Sequence, residues 1–257
     1  MSGLSESLRA QRAVSLIRLQ ERAIGIVARS LDLPELSHDG HPGLRFRSPG
    51  WKHFCLLKAM RAVSGLNACY LLYDGGFCQE LPVILRTVGE CTSQIDFVIA
   101  GIREDGSLVD RQMRLVAAYF ADSVRDSSGS SKKLPLRQHE FHDGAGSHTE
   151  ELLRAVQGFD PPKVGEAARA LSTVYKINSN FVHSRYPEVM EMIDGSPLRI
   201  HLRGMRGSTK DQENLDILEG FVSTVTNALR FMLFYMRLLD EVEKDPDLRT
   251  WYQLRAA

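Results

Sequence analysis

The chain has 257 residues, 43% of them hydrophobic, enough to bury a sizeable core at the upper end of single-domain size. Lysine plus arginine and aspartate plus glutamate number 32 each, so no global charge advertises nucleic acid or a membrane surface, and any basic site has to be local. Charges run through the opening MSGLSESLRAQRAV, and the longest apolar run, Phe231 to Tyr235, falls far short of the roughly 18 residues a membrane span requires; a cytoplasmic protein with no membrane partner is expected.

Residues 4–32 read as one long helix, with Leu8, Ile17, Ile24, Val27 and Leu31 recurring near a 3.6-residue period. Arg18, Arg22 and Arg29 share a neighbouring face with Glu21 close by, a pattern that fits a solvated charged face better than an RNA-binding stripe. Pro34 stops this helix, and the turn formers from Ser37 to Gly50 read as a loop, its His38 and His41 included. Ser48 and Pro49 form a cap and first-turn proline for a densely apolar helix ending at Tyr73, before Asp74-Gly75-Gly76.

A third helix is expected from Phe77 to Ile102, with Pro82 confined to its start. In it Leu81, Ile84, Val88, Cys91, Ile95, Val98 and Ile102 alternate spacings of three and four, the seam of left-handed helix packing. Arg86 and Glu90 lie one turn apart on its back: an exposed ion pair, or part of a site if that face looks into a cleft. Cys55, Cys69, Cys78 and Cys91 fall in apolar stretches without a CxxC pair and read as buried reduced thiols, so neither a metal nor a cofactor is expected.

A shorter helix, Leu108 to Val124, precedes a serine- and glycine-rich connection at about 126–147, read as exposed or disordered. His139, His142 and His148 fall in or beside it, but HEFH is not the HExxH of a zinc helix. Ser147 with Glu150, then Asp160 with Pro161, start two further helices, the second carrying YKINSNFVHSRY. Near 198–206, Leu198, Ile200 and Leu202 alternate with Arg199, His201 and Arg203, a strand or hairpin signal. Its basic side, with Arg206 and Lys210 nearby, is either a phosphate-binding edge or an edge strand guarded by charge.

The last helix is expected from Ser208 or Asp211 to Lys244, with a second seam of Leu215, Leu218, Val222, Val225, Leu229, Met232, Met236 and Leu239. Phe221, Phe231, Phe234 and Tyr235 make it apolar on most sides, as in a central core helix or a dimer interface. The expectation is therefore all-α: a single antiparallel helical bundle spanning 1–257, core 50–245, with one hairpin insertion.

On the helix from Lys163 to Ser184, a rotation of about 100° per residue places Ser172, Lys176, Ser179 and His183 on one face, with Asn178 and Phe181 turned inward. An ammonium beside an imidazole that titrates near neutrality is a minimal apparatus for moving a proton at a phosphate ester. This layout resembles the HEPN superfamily of small helical bundles, whose ribonuclease members carry an arginine, a polar residue and a histidine near the end of one helix. Arg86-to-Glu90 followed by YKINSNFVHS is also similar to a family of uncharacterised bacterial HEPN-related proteins, over roughly Phe54 to Tyr186.

The resemblance implies a dimer whose two motifs meet and a metal-independent endoribonuclease. His183 would be its general acid or base, Lys176 would stabilise the developing charge, Asn178 or Ser179 would orient them, and Arg86 and Glu90 would support the site. Lys176 stands where catalytic members have arginine and lacks the bidentate fork for phosphate; the tighter register starts instead at Asn178. Two other readings remain: His183 as a histidine capping the helix end, and a non-catalytic interaction module that binds RNA through Arg199, Arg203 and Arg206, binds a protein, or pairs with itself through the heptad seams.

Overall fold

The computed structural model describes residues 5–37, 43–121, 173, 177–185, 189–194, 199–208 and 210–253. The connection at 126–147, the helix starts at Ser147 and Asp160, Lys176, and His38, His41, His139, His142 and His148 lie outside them. The architecture is all-α, built on α1 (Glu6–Arg29), α2 (Trp51–Asp74), α3 (Glu80–Ala100), α4 (Asp110–Ala121), α5 (Lys210–Tyr235), α6 (Leu239–Glu243) and α7 (Pro246–Gln253). Two short antiparallel hairpins accompany them: β1 (Glu35–Ser37) with β2 (Gly43–Arg45), and β3 (Ile193–Asp194) with β4 (Arg199–Ile200).

The two seams form the core as their spacing requires. Leu81, Val88, Cys91, Ile95 and Val98 of α3 are buried, as are Leu215, Leu218, Val222, Val225, Leu229 and Met232 of α5. Each fully buried aliphatic side chain contributes roughly 1.5–3 kcal/mol. α2 touches α1, α3 and α5, while α1 and α3 each touch α5. α2 and α3 meet closely at Gly65, where an added Cβ would stand 2.6 Å from Val88 Cγ2.

Helix directions follow from paired contacts. Tyr73 donates its hydroxyl to Glu6 and Asn67 its amide to Glu21, so α2 runs antiparallel to α1. Arg9 reaches Asp216 and Glu219, Gln20 reaches Val222 and Thr226, Gly89 lies against Phe221, and Asn214 bonds Cys78. Hence α1, α3 and α5 share one direction and α2 opposes them. More than a hundred residues separate α3 from α5, ample chain for the return a parallel pair needs.

α1 turns inward a stripe of Ala10, Ala13, Ile17, Gln20, Ala23 and Val27, leaving Leu8 half exposed. The small alanines admit α5 closely, and buried Gln20 donates through Nε2 to the Val222 carbonyl at 2.8 Å and the Thr226 hydroxyl at 2.9 Å. α2 begins two residues later than its Ser48-Pro49 signal implied, capped by Gly50, whose N–H donates to His53 Nδ1 at 3.3 Å. It closes with Gly76 at φ +73°, the Gly76 N–H on the Tyr73 carbonyl and the Phe77 N–H on the Leu72 carbonyl. Gly204, at φ +94°, crosses so close that a Cβ there would lie 2.2 Å from the Gly75 carbonyl, and the Met205 N–H donates to Gly76 at 2.7 Å.

Three expectations need correcting. The 37–50 segment contributes to hairpin β1–β2, in which Leu36 faces Leu44. Among the described residues near 198–206 only Arg199 and Ile200 are strand, paired with Asp194 and Ile193; from Leu202 the chain turns toward the end of α2. The last helix stops at Tyr235 because Arg237 takes φ +60°, with its N–H on the Phe234 carbonyl and the Leu238 N–H on the Leu233 carbonyl. α6 and α7 then fold back onto α1, and Asp245 caps α7 ahead of Pro246. All four cysteines are buried free thiols, as expected. α5 is long and apolar enough to cross a membrane, the one such helix among the described residues, and half of its apolar window is buried in the bundle.

Candidate functional site

The helical segment 177–182 carries part of the motif. Asn178 is buried at 3%, on the inward side, and its Nδ2 has no acceptor. Ser179 is half buried, and His183 one turn later is exposed. The helix ends there: the His183 N–H donates to Ser179, Ser184 sits at φ +46°, and the Ser184 and Arg185 N–H groups return to the Phe181 and Asn180 carbonyls at 3.0 and 3.2 Å. His183 thus occupies the last turn, with its imidazole toward solvent and near the negative end of the helix. Lys176 lies outside the described residues.

Arg86 and Glu90 pair across one turn of α3, Nε to Oε1 at 3.1 Å, each about a quarter exposed. A second cation reaches this region from α2. The Lys58 ammonium stands 4.5 Å from the Tyr119 ring centroid and 5.4 Å from that of Phe54. Burial lowers its pKa, with Cys91 and Glu90 opposing the fall. Sequence reasoning passed over Lys58, although a lysine inside the apolar run WKHFCLLKAM was a usable signal.

The basic strip divides. Arg199 and Arg203 are exposed on and after β4. Arg206 instead lies over Tyr73, 4.5 Å from the ring centroid, and bonds Glu6 at 2.9 Å and Asp211 at 3.1 Å. Tyr73 donates to the same Glu6 oxygen at 2.6 Å, and this hydrogen bond, with Arg206 beside it, holds the Glu6 carboxyl below the usual range. Asp211 accepts from the Gly207 N–H at 2.7 Å. These groups join the starts of α1 and α5 to the end of α2, so Arg206, though 41% exposed, fastens helices in a way that Arg199 and Arg203 do not.

On the far side a groove of about 670 Å³ runs between α1 and the α6–α7 turn, lined by Arg18, Glu21, Arg22, Arg29, Glu241 and Lys244. Arg22 is tied to Asp245 and, at 3.0 Å, to Asp247, and Lys244 to Glu241 at 2.5 Å. Opposite charges largely cancel along it. Among the described residues no three His, Cys, Asp or Glu side chains gather as metal ligands. Burial pushes the Cys69 thiol up to about 12 and raises Cys55, Cys78 and Cys91, which keeps them protonated and poorly nucleophilic.

No protein-family model, curated protein or solved structure matches this chain.

Proposed function

We propose that this protein is a non-catalytic helical interaction module working in a reducing, cytoplasmic compartment. The observation that carries this reading is the position of His183, exposed on the last turn of its helix with no enclosing cleft among the described residues. An exposed imidazole gains little of the preorganised electrostatic help that makes acid–base catalysis effective. The structural groups support the same view, since buried Gln20, Tyr73 and the four thiols, and the partly exposed Arg206, are engaged in packing and helix fastening.

A second reading is a metal-independent endoribonuclease of HEPN type, favoured by Ser179 and His183 standing one turn apart on the same helix. The two part on one assay, incubation of purified protein with mixed RNA in EDTA. The module leaves the RNA intact; cleavage that disappears in His183→Ala would replace it with the enzyme. Light scattering over a range of concentrations tests self-pairing, which requires a mass that rises to twice that of the chain.

A further inference from the structure

His53 is the one buried histidine among the described residues, 9% exposed in the first turn of α2. Its ring packs on Phe46, the residue that follows β2, with centroids 4.4 Å apart. Its Nδ1 accepts the Gly50 N–H at 3.3 Å, which requires a neutral imidazole carrying its proton on Nε2, and Nε2 is itself buried with no partner. A second proton, on Nδ1, would set one N–H donor against another and leave both ring donors buried without an acceptor. It would also add positive charge at the positive end of α2. Asp32, between α1 and β1, is the carboxylate whose field favours the cation, but burial outweighs it and lowers the imidazole pKa. Lys52 lies over the Trp51 ring, and Arg45 and Arg47 flank Phe46 in the chain. The hairpin that ends at Phe46 is thinly attached: Leu36 is 61% and Leu44 71% exposed, and the two strands pack on each other more than on any helix.

We propose that His53 is an acid-sensitive latch: its neutral ring, seated on Gly50 and Phe46, holds hairpin β1–β2 to the start of α2, and protonation at Nδ1 unseats the ring and frees the hairpin. Three features carry this. The hydrogen bond from Gly50 can form only to the unprotonated nitrogen. The unpartnered Nε2 leaves the seat without an acceptor that would hold the cation there. The ring stack on Phe46 is a substantial part of what joins a hairpin with so little buried surface to the helices. Because seating lowers the imidazole pKa, the latch is fully closed above the ordinary imidazole value and is lost as pH falls through it. This device is independent of what the rest of the surface binds, and it adds a control over the exposed leucines of the hairpin.

The test uses the full chain and reads the hairpin locally, because buried Asp96 changes overall stability over the same pH range. NMR of the ring nitrogens at pH 7.5 should place the His53 proton on Nε2, and its titration midpoint should lie below the ordinary imidazole value. Amide exchange then follows protection at residues 35–37 and 43–46. A freed imidazole titrates near about 6.5, so release becomes about tenfold easier between pH 7.5 and 5.5, and protection should fall by that factor. His53→Phe keeps a ring against Phe46 but cannot take a proton, and its hairpin protection should hold over this range. Three results overturn the latch: a neutral His53 with its proton on Nδ1, wild-type protection that is the same at both pH values, or a tenfold loss that persists in His53→Phe. The last would assign the response to another group, such as His38 or His41, which that variant retains. If His53→Phe does not fold, the ring proton and the wild-type exchange decide between the outcomes by themselves.

Discussion

Replacing Arg206 by alanine separates a fastener from a binding residue. Its guanidinium lies 4.5 Å from the Tyr73 ring centroid, 2.9 Å from Glu6 and 3.1 Å from Asp211, and its side chain is 41% exposed. At that exposure each ion pair is worth about 0.2–1 kcal/mol and the stacked cation about 0.5–1 kcal/mol. The loss is therefore about 1–3 kcal/mol for Arg206→Ala, against less than about 0.5 kcal/mol for Arg199→Ala or Arg203→Ala, which have no such contacts. Urea unfolding reads this as a lowered midpoint at constant slope. A double-mutant cycle with Glu6→Gln should show coupling, since the two side chains share a hydrogen bond. If Arg206→Ala is as silent as Arg199→Ala, or the cycle shows no coupling, the fastening role is wrong.

The same cluster sets a pH response. Glu6, held below its ordinary value chiefly by the Tyr73 hydroxyl, stabilises the fold above the usual carboxylate range, and this contribution fades as pH falls through its lowered folded-state pKa; Tyr73→Phe should narrow that acid-side difference in urea titrations. Asp96 has the opposite sign. Burial pushes its carboxyl up to about 7 and its Oδ1 has no partner, so stability should decline as pH rises from about 4 to 7, by at most roughly 1.4 kcal/mol per pH unit; Asp96→Asn should flatten that slope, and a variant weaker than wild type at pH 8 would contradict it. Gly65→Ala should cost about 1–3 kcal/mol through the clash with Val88, and Val88→Ala should relieve part of it, as thermal melts of the single and double variants would show. Arg237→Gly should raise stability by about 1 kcal/mol, read as a higher unfolding midpoint, because glycine takes the positive φ at the end of α5 without the side-chain penalty.

The two seams were legible because every third or fourth residue is large and aliphatic, and burial of Leu81 through Val98 and Leu215 through Met232 follows that spacing. The inner face of α1 was not, since alanines and Gln20 carry it and neither stands out as apolar mass. The break at Arg237 has no glycine to announce it. The start of α7 did have a signal, Asp245 before Pro246, the same cap-and-proline pattern read at Ser48-Pro49, but the continuing seam through Met236 and Leu239 masked it. Hairpin β1–β2 hid because its paired leucines, Leu36 and Leu44, both face water and leave no alternation of buried and exposed residues to detect. Within the candidate site, helical rotation correctly put Asn178 inward and His183 out. It could not separate Arg206 from Arg199 and Arg203, because that depends on the turn at Gly204 sending the chain to Tyr73.

The shared direction of α1, α3 and α5 has a kinetic consequence. α5 closes the core by packing on α1 and α3, so the contacts of Gln20 with Val222 and Thr226 span more than 200 positions of chain. During synthesis α1, α2 and α3 emerge first, with the apolar face that includes Ile17 and Val88 lacking its cover until α5 follows. Such late, non-local closure slows folding and prolongs exposure of sticky surface to other chains. The protein should therefore accumulate a helical, aggregation-prone intermediate that resolves only when its last long helix arrives, and mutations in α5 should affect yield from the ribosome more than equally destabilising mutations between α2 and α3.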